Sequence, residues 1–208
     1  MSNYYQNSTP SEPGDYKELE ACPKVVLSYN AAQFAATIGV KRRVQSLQFA
    51  KGPEYHKRPH NPARMWKNDI EGAVAELAFA KFLGVEWNAG INTFKQPDVL
   101  EYQVRSTTIP NYSLVVRQKD SDYDKYVLVI GYSMYMWDFH PPTYYIVGWI
   151  PGKDAKRSEW SYSPRENFHY YLVPQEDLDK EFETPGGAVK KAQDEPGVYL
   201  PDNIGNRS

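Results

Sequence analysis

Gly72-Ala-Val-Ala-Glu76-Leu-Ala-Phe-Ala-Lys81-Phe-Leu-Gly84 is the most regular helical stretch of this 208-residue chain. Ile70, Val74, Leu77, Ala78 and Phe82 recur at helical spacing. Asn68 or Asp69 can cap the start and Gly84 stops the end, so the pattern predicts a helix over 69–83. Beyond Gly84 the period changes to alternation. Residues 99–107, 113–117, 126–132 and 144–150 read as four strands. The runs Tyr126-Val-Leu-Val-Ile-Gly131 and Tyr145-Ile-Val-Gly-Trp-Ile150 are nearly all apolar, as central strands covered on both faces should be. A long helix followed by a run of strands predicts an α/β domain, with a mixed sheet of four to five strands flanked by helices.

Upstream, Phe34, Ile38, Val40, Val44, Leu47 and Phe49 fit a helix from Asn30 to about Ala50, with a break expected at Gly39. Pro53, Pro59 and Pro62 argue against a helix through 51–67 and predict a basic loop. Residues 1–20 are polar and read as a mobile acidic leader. Downstream, 154–160 suggests a short helix. From Gln175, Pro185-Gly-Gly and Pro196-Gly suggest a weakly ordered acidic tail. The domain itself is thereby placed at 21–174.

No apolar run approaches the roughly 18 residues that would span a bilayer, and the start lacks the basic-then-apolar signature of a secretory signal. Cys22 is the single cysteine, which excludes an intrachain disulfide and a multi-cysteine zinc site. A cytoplasmic location is expected. The net charge of -2 is unevenly distributed: residues 1–20 carry -3, residues 175–208 carry -4, and the body carries +5. Residues 41–67 alone hold eight Lys and Arg against Glu54. Such a segment, interleaved with Tyr55 and Trp66, suits a phosphate backbone and equally suits a solvated helix face. Arg42, Arg43, Lys57, Arg58, Arg64 and Lys67, with Lys153 and Lys156 further on, are the candidate DNA contacts.

Three fragments carry candidate chemistry. Glu76 lies among small and apolar residues, and a carboxylate buried there requires a cation or donors nearby. Pro97-Asp98 then precedes the strand Val99-Leu-Glu101-Tyr-Gln103-Val-Arg105-Ser-Thr107. Carboxylates and an amide oxygen gathered at a strand are the hard oxygen ligands that Mg²⁺ demands. Taken singly, Glu101, Gln103 and Arg105 are the wet face of an ordinary strand. A fully extended 98–103 segment would hold Asp98 and Gln103 roughly 16 Å apart, so a shared metal needs a bend between them. Without that bend, Glu101 is the reserve ligand. His56 and His60 have Pro59 between them, and His140 and His169 lack partners at a recognised spacing. The acids at 120, 122 and 124 lack the Gly and terminal Glu of a calcium loop and read as surface residues.

The order Gly-x-x-x-Glu on a helix, Pro-Asp, then x-Val-Arg on a strand resembles the PD-(D/E)XK nuclease superfamily. More closely, Glu76-Leu-Ala-Phe-Ala-Lys-Phe-Leu-Gly84, Tyr102-Gln-Val-Arg-Ser-Thr107, Leu114-Val-Val-Arg117 and the segment Ile146–Lys156 resemble a group of phage-encoded proteins. The resemblance covers roughly residues 70–160. It implies a restriction-endonuclease-like core and a Mg²⁺- or Mn²⁺-dependent DNA nuclease, acting in an infected host cell. It also implies catalytic roles for Glu76, Asp98, Gln103 and Arg105, with Glu76, Asp98, Gln103 and the Val104 carbonyl as metal ligands. Gln103 stands where Glu or Asp is usual, and Arg105 where Lys is usual. Arg cannot give up its proton, so Arg105 could stabilise charge but not act as a base. Two other readings follow: a decayed nuclease fold that binds DNA or a partner, and a structural or host-interaction protein whose 17 tyrosines form a contact surface. A homodimer is compatible with each.

Overall fold

The computed structural model describes residues 13–49, 61–90, 96–166, 168–184, 187, 189–191 and 198–199. Ten strands are described: β1 (Lys24–Val26), β2 (Tyr102–Thr107), β3 (Leu114–Arg117), β4 (Lys125–Gly131), β5 (Thr143–Pro151), β6 (Ser161–Arg165), β7 (Phe168–Val173), β8 (Glu181–Glu183), β9 (Val189–Lys191) and β10 (Val198–Tyr199). There are two long helices, α1 (Tyr29–Phe49) and α2 (Pro62–Leu83), and a one-turn α3 (Gly152–Ala155) follows β5. The main sheet runs β10-β1-β5-β4-β2 and is mixed: β2 lies parallel to β4, while β4–β5 and β5–β1 are antiparallel. The fold is therefore α/β with a mixed sheet.

Alternation along β4 and β5 divides the core. Val127, Val129, Tyr144 and Ile146 face α2 and α1, with Ala75, Ala78, Phe79 and Phe82. Tyr126, Leu128, Ile130, Tyr145 and Val147 face a second sheet, β3-β7-β6, through Leu114, Val116, Tyr171 and Val173. Both central strands are thus covered on both faces, which is why their sequences are apolar without a break. The cover differs from the expectation on one side. The two long helices flank a single face, and the segment 113–117, read as one of a run of strands, belongs to the second sheet.

The ends of the domain also lie further out than composition suggests. Residues Pro13–Leu19 form a 3₁₀ turn, and Tyr16 and Leu19, three apart on its inner side, are 1% and 2% exposed. Tyr16 donates its hydroxyl to the Thr108 carbonyl at 2.8 Å and packs edge-on against Tyr132. The expected leader therefore does not extend through residue 20. At the other end, Phe182 is fully buried between Phe79, Phe82 and Tyr102, while its neighbours Glu181 and Glu183 point outward. A three-residue strand with one apolar position is enough to bring this acidic segment into the core, so the domain continues past 174.

Helix boundaries shift for local reasons. α2 starts at Pro62, seven residues before the expected start, because Asn61 caps it by accepting from the Arg64 N–H. Proline at the first helical position removes only an N–H that has no helical partner. α1 is continuous through Gly39. That glycine is there for packing: a Cβ would fall 2.6 Å from Ile70 Cα, so α1 crosses α2 backbone to backbone. Gly39→Ala should lower stability by about 1–2 kcal/mol, overpacking outweighing the gain in helix propensity. Thermal unfolding measures this, and an unchanged or raised midpoint would contradict the close crossing.

Candidate active site

Among the described residues β2 is an edge strand, with β4 on one side and no strand on the other. Just before it the chain reverses. Tyr102 donates its N–H to the Val99 carbonyl at 2.9 Å, and Asp98 donates its own to the Tyr102 carbonyl at 2.9 Å. Leu100 takes a left-handed conformation, φ 51°, uncommon for a branched side chain. This turn supplies the bend that a shared site requires. It folds Asp98 back along the open edge, where its Oδ2 accepts the Val104 N–H at 2.8 Å. In an extended strand the N–H and C=O of one residue point to the same side, so the Val104 carbonyl faces this edge too. Its described partner there is Arg105 Nη1, at 3.4 Å.

Glu76 reaches the same region from α2, with its side chain 8% exposed. Both carboxylate oxygens are held by the fork of Arg42 on α1: Nη1 donates to Oε1 at 2.6 Å and Nη2 to Oε2 at 2.7 Å. Trp87 Nε1 donates to Oε2 at 3.2 Å, and Arg42 Nε donates to the Gly90 carbonyl at 3.1 Å. The cation that a buried Glu76 requires is therefore Arg42. Lys81, the nearest base along the helix, is not its partner.

Asp98 is the most perturbed acid here. Burial and then the negative charge of Glu76 push its carboxyl up to about 6, against the Val104 N–H and the positive Arg105 and Arg42. A half-buried carboxyl raised by burial and by a second acid, with charges of both signs around it, marks a candidate functional site.

The other expected residues have partners of their own, and of them Arg105 also touches the Val104 carbonyl. Gln103 projects from β2 to donate its amide to Asp124 Oδ2 at 3.3 Å. Arg105 pairs with Asp120 Oδ2 at 3.1 Å and stands 4.9 Å from the Tyr126 ring centre. Glu101 is bound to Lys125 at 2.6 Å on the exposed side of the turn, so the bend leaves no need for it as a reserve ligand. Asp120, Asp122 and Asp124 are not a bare acidic surface. Asp120 holds Arg105 and the Arg117 N–H, Asp122 holds Lys156, and Asp124 holds Gln103.

The basic candidates divide similarly. Arg42 is committed to Glu76, Arg43 to Asp69 at 2.5 Å, Lys67 to Glu71 at 3.8 Å and Lys156 to Asp122 at 2.5 Å. Arg64 and Lys153 are exposed. Lys57 and Arg58 lie outside the described residues, as do His56 and His60.

Among the described residues no group of three or more His, Cys, Asp or Glu side chains could hold a metal ion. The donors at the β2 edge are two carboxylates and one backbone carbonyl. Hard oxygens of this kind suit Mg²⁺ or Mn²⁺ in chemical type, with Glu76 already neutralised by Arg42. Comparison with protein-family models, with curated proteins and with solved structures finds no match to the chain.

The raised Asp98 carboxyl has a consequence for stability. The folded state holds this proton up to about pH 6, whereas an unfolded aspartate releases it near pH 4. Stability from this group is thus present below pH 4 and is lost as pH rises to 6, where it levels off. Asp98→Asn retains an oxygen for the Val104 N–H without the charge. It should be more stable than wild type at pH 7, on the order of 1–2 kcal/mol, with the advantage shrinking toward pH 4. Denaturant unfolding from pH 4 to 7 tests this. Parallel curves for the two proteins would mean that Asp98 bears no such strain.

Proposed function

We propose that the chain is a divalent-metal-dependent DNA nuclease with a restriction-endonuclease-like core of the PD-(D/E)XK type. One observation carries this reading: the turn at 98–102 lays Asp98 against Val104 on the open edge of β2, beside the buried Glu76. Glu76, Asp98 and the Val104 carbonyl would hold Mg²⁺ or Mn²⁺. A cation bound there supplies a Lewis acid for a phosphate oxygen and an acidified water as nucleophile. Arg105, permanently charged and close to the Val104 carbonyl, would stabilise negative charge on the phosphate rather than take a proton. Gln103 orients Asp124 and stands outside the ligand set. Of the expected DNA contacts, the exposed Arg64 and Lys153 are the described ones left to meet the DNA backbone, in the cytoplasm, that of an infected host cell if the chain is phage-encoded.

A second reading has its own support. Both Glu76 oxygens are bound by Arg42, and the Gln103 amide donates to Asp124 Oδ2 and the Gln96 carbonyl. On that reading the fold has lost catalysis and binds DNA or a protein partner.

Incubation of plasmid and short duplex DNA with the full chain separates the two. With Mg²⁺ or Mn²⁺ the nuclease should cleave, a chelator should stop it, and Asp98→Asn and Glu76→Gln should each cost on the order of a hundredfold or more in rate. Salt-sensitive DNA binding without cleavage would favour the decayed fold. Neither cleavage nor binding would sink both.

A further inference from the structure

We propose that Arg42 is a built-in occupant of the metal position on Glu76, so that the cation gains this ligand only when the guanidinium swings away. The inference rests on the nuclease reading above and concerns α1, which that reading does not use. Arg42 meets Glu76 with both terminal nitrogens at once, at 2.6 and 2.7 Å, and leaves neither carboxylate oxygen without a strong donor. A metal ligated by Glu76 needs at least one of those oxygens.

The arginine also has a hold that is independent of the acid. Its Nε–H donates to the Gly90 carbonyl, and its guanidinium lies 6.0 Å from the Trp87 ring centre. Trp87 in turn donates to Glu76. Loss of the Glu76 contact would therefore leave Arg42 partnered on the segment after α2 rather than stranded. The close crossing at Gly39, three residues before Arg42, keeps α1 near enough for the side chain to return.

Mn²⁺ alone is the probe, its binding followed by electron paramagnetic resonance and calorimetry on the full chain. Arg42→Met should bind Mn²⁺ at least tenfold more tightly than wild type. Arg42→Lys, which keeps the charge and loses the fork, should fall between. Adding Asp98→Asn to Arg42→Met should remove the gain. Equal or weaker binding by Arg42→Met overturns the proposal. If Asp98→Asn still abolishes binding in the otherwise wild-type chain, the metal site itself stands and only the role of Arg42 falls. Tighter binding that survives Asp98→Asn places the ion elsewhere and overturns both readings, as does absence of binding in every protein.

The wild-type chain gives a second measurement, which needs a folded variant only to assign the signals. The side-chain nitrogen signals of Arg42, identified by their loss in Arg42→Lys, should shift as Mg²⁺ saturates the protein. Signals unchanged at saturation would show that the ion enters without displacing the arginine.

Discussion

A carboxylate set in the apolar stretch of α2 cannot stand alone, and much of the architecture around it answers that demand. Glu76 lies among Ala75, Ala78 and Phe79, which are fully buried. An unpaired charge there would cost several kcal/mol, so a cation must be delivered from another element. α1 delivers it, crossing at Gly39 so closely that Arg42 and Arg43 reach Glu76 and Asp69 on α2. Trp87, just beyond the end of α2, supplies the remaining donor. Buried ion pairs of this kind seldom stabilise a fold more than well-packed apolar residues would. Their presence therefore asks for a chemical reason, and the neighbouring Asp98 supplies one.

How much of this was legible depends on whether the signal is local. The apolar runs of β4 and β5 announce central strands because covering on both faces leaves no position for a polar residue. The 3.6-residue period announces α2. What covers those strands is not local: β3 reads like a member of the same meander, yet it pairs with β7 more than fifty residues on. Short segments with one or two apolar anchors also escape, since composition averages over them. Tyr16, Leu19 and Phe182 are each fully or almost fully buried within stretches whose charge suggests solvent. Pro62 misleads for a different reason. Proline argues against a helix interior and is at home in the first turn, so its meaning depends on Asn61 before it.

The site follows the same division. Glu76 stands out because it is the wrong residue for its helix, and Asp98 because it opens the strand. Arg42 does not stand out. In a segment carrying eight bases, a count of charge cannot separate an arginine that faces solvent from one that is folded onto an acid. The acids at 120, 122 and 124 are obscured for the same reason, since their partners Arg105, Lys156 and Gln103 are brought to them by the sheet. Only the requirement that Glu76 have a cation or donors was readable, and nothing in the spacing marked Arg42 as that cation.

An exposed strand edge is ordinarily a liability, because its unpaired N–H and C=O groups invite another strand. The open side of β2 is blunted by the chain's own return: Asp98 occupies the Val104 N–H, and Arg105 lies on the Val104 carbonyl. The turn that places Asp98 there does so at a cost, holding Leu100 in a left-handed conformation and a carboxyl where ionisation is disfavoured. A neutral polar residue at 98 would protect the edge equally well and without that cost. Edge protection thus explains why the chain doubles back, but not why it returns an acid beside a second acid. On the proposed nuclease reading, the two carboxyls would serve one bound cation jointly. Arg42 satisfies one of them by forking onto Glu76 alone, and leaves Asp98 with its raised affinity for a proton.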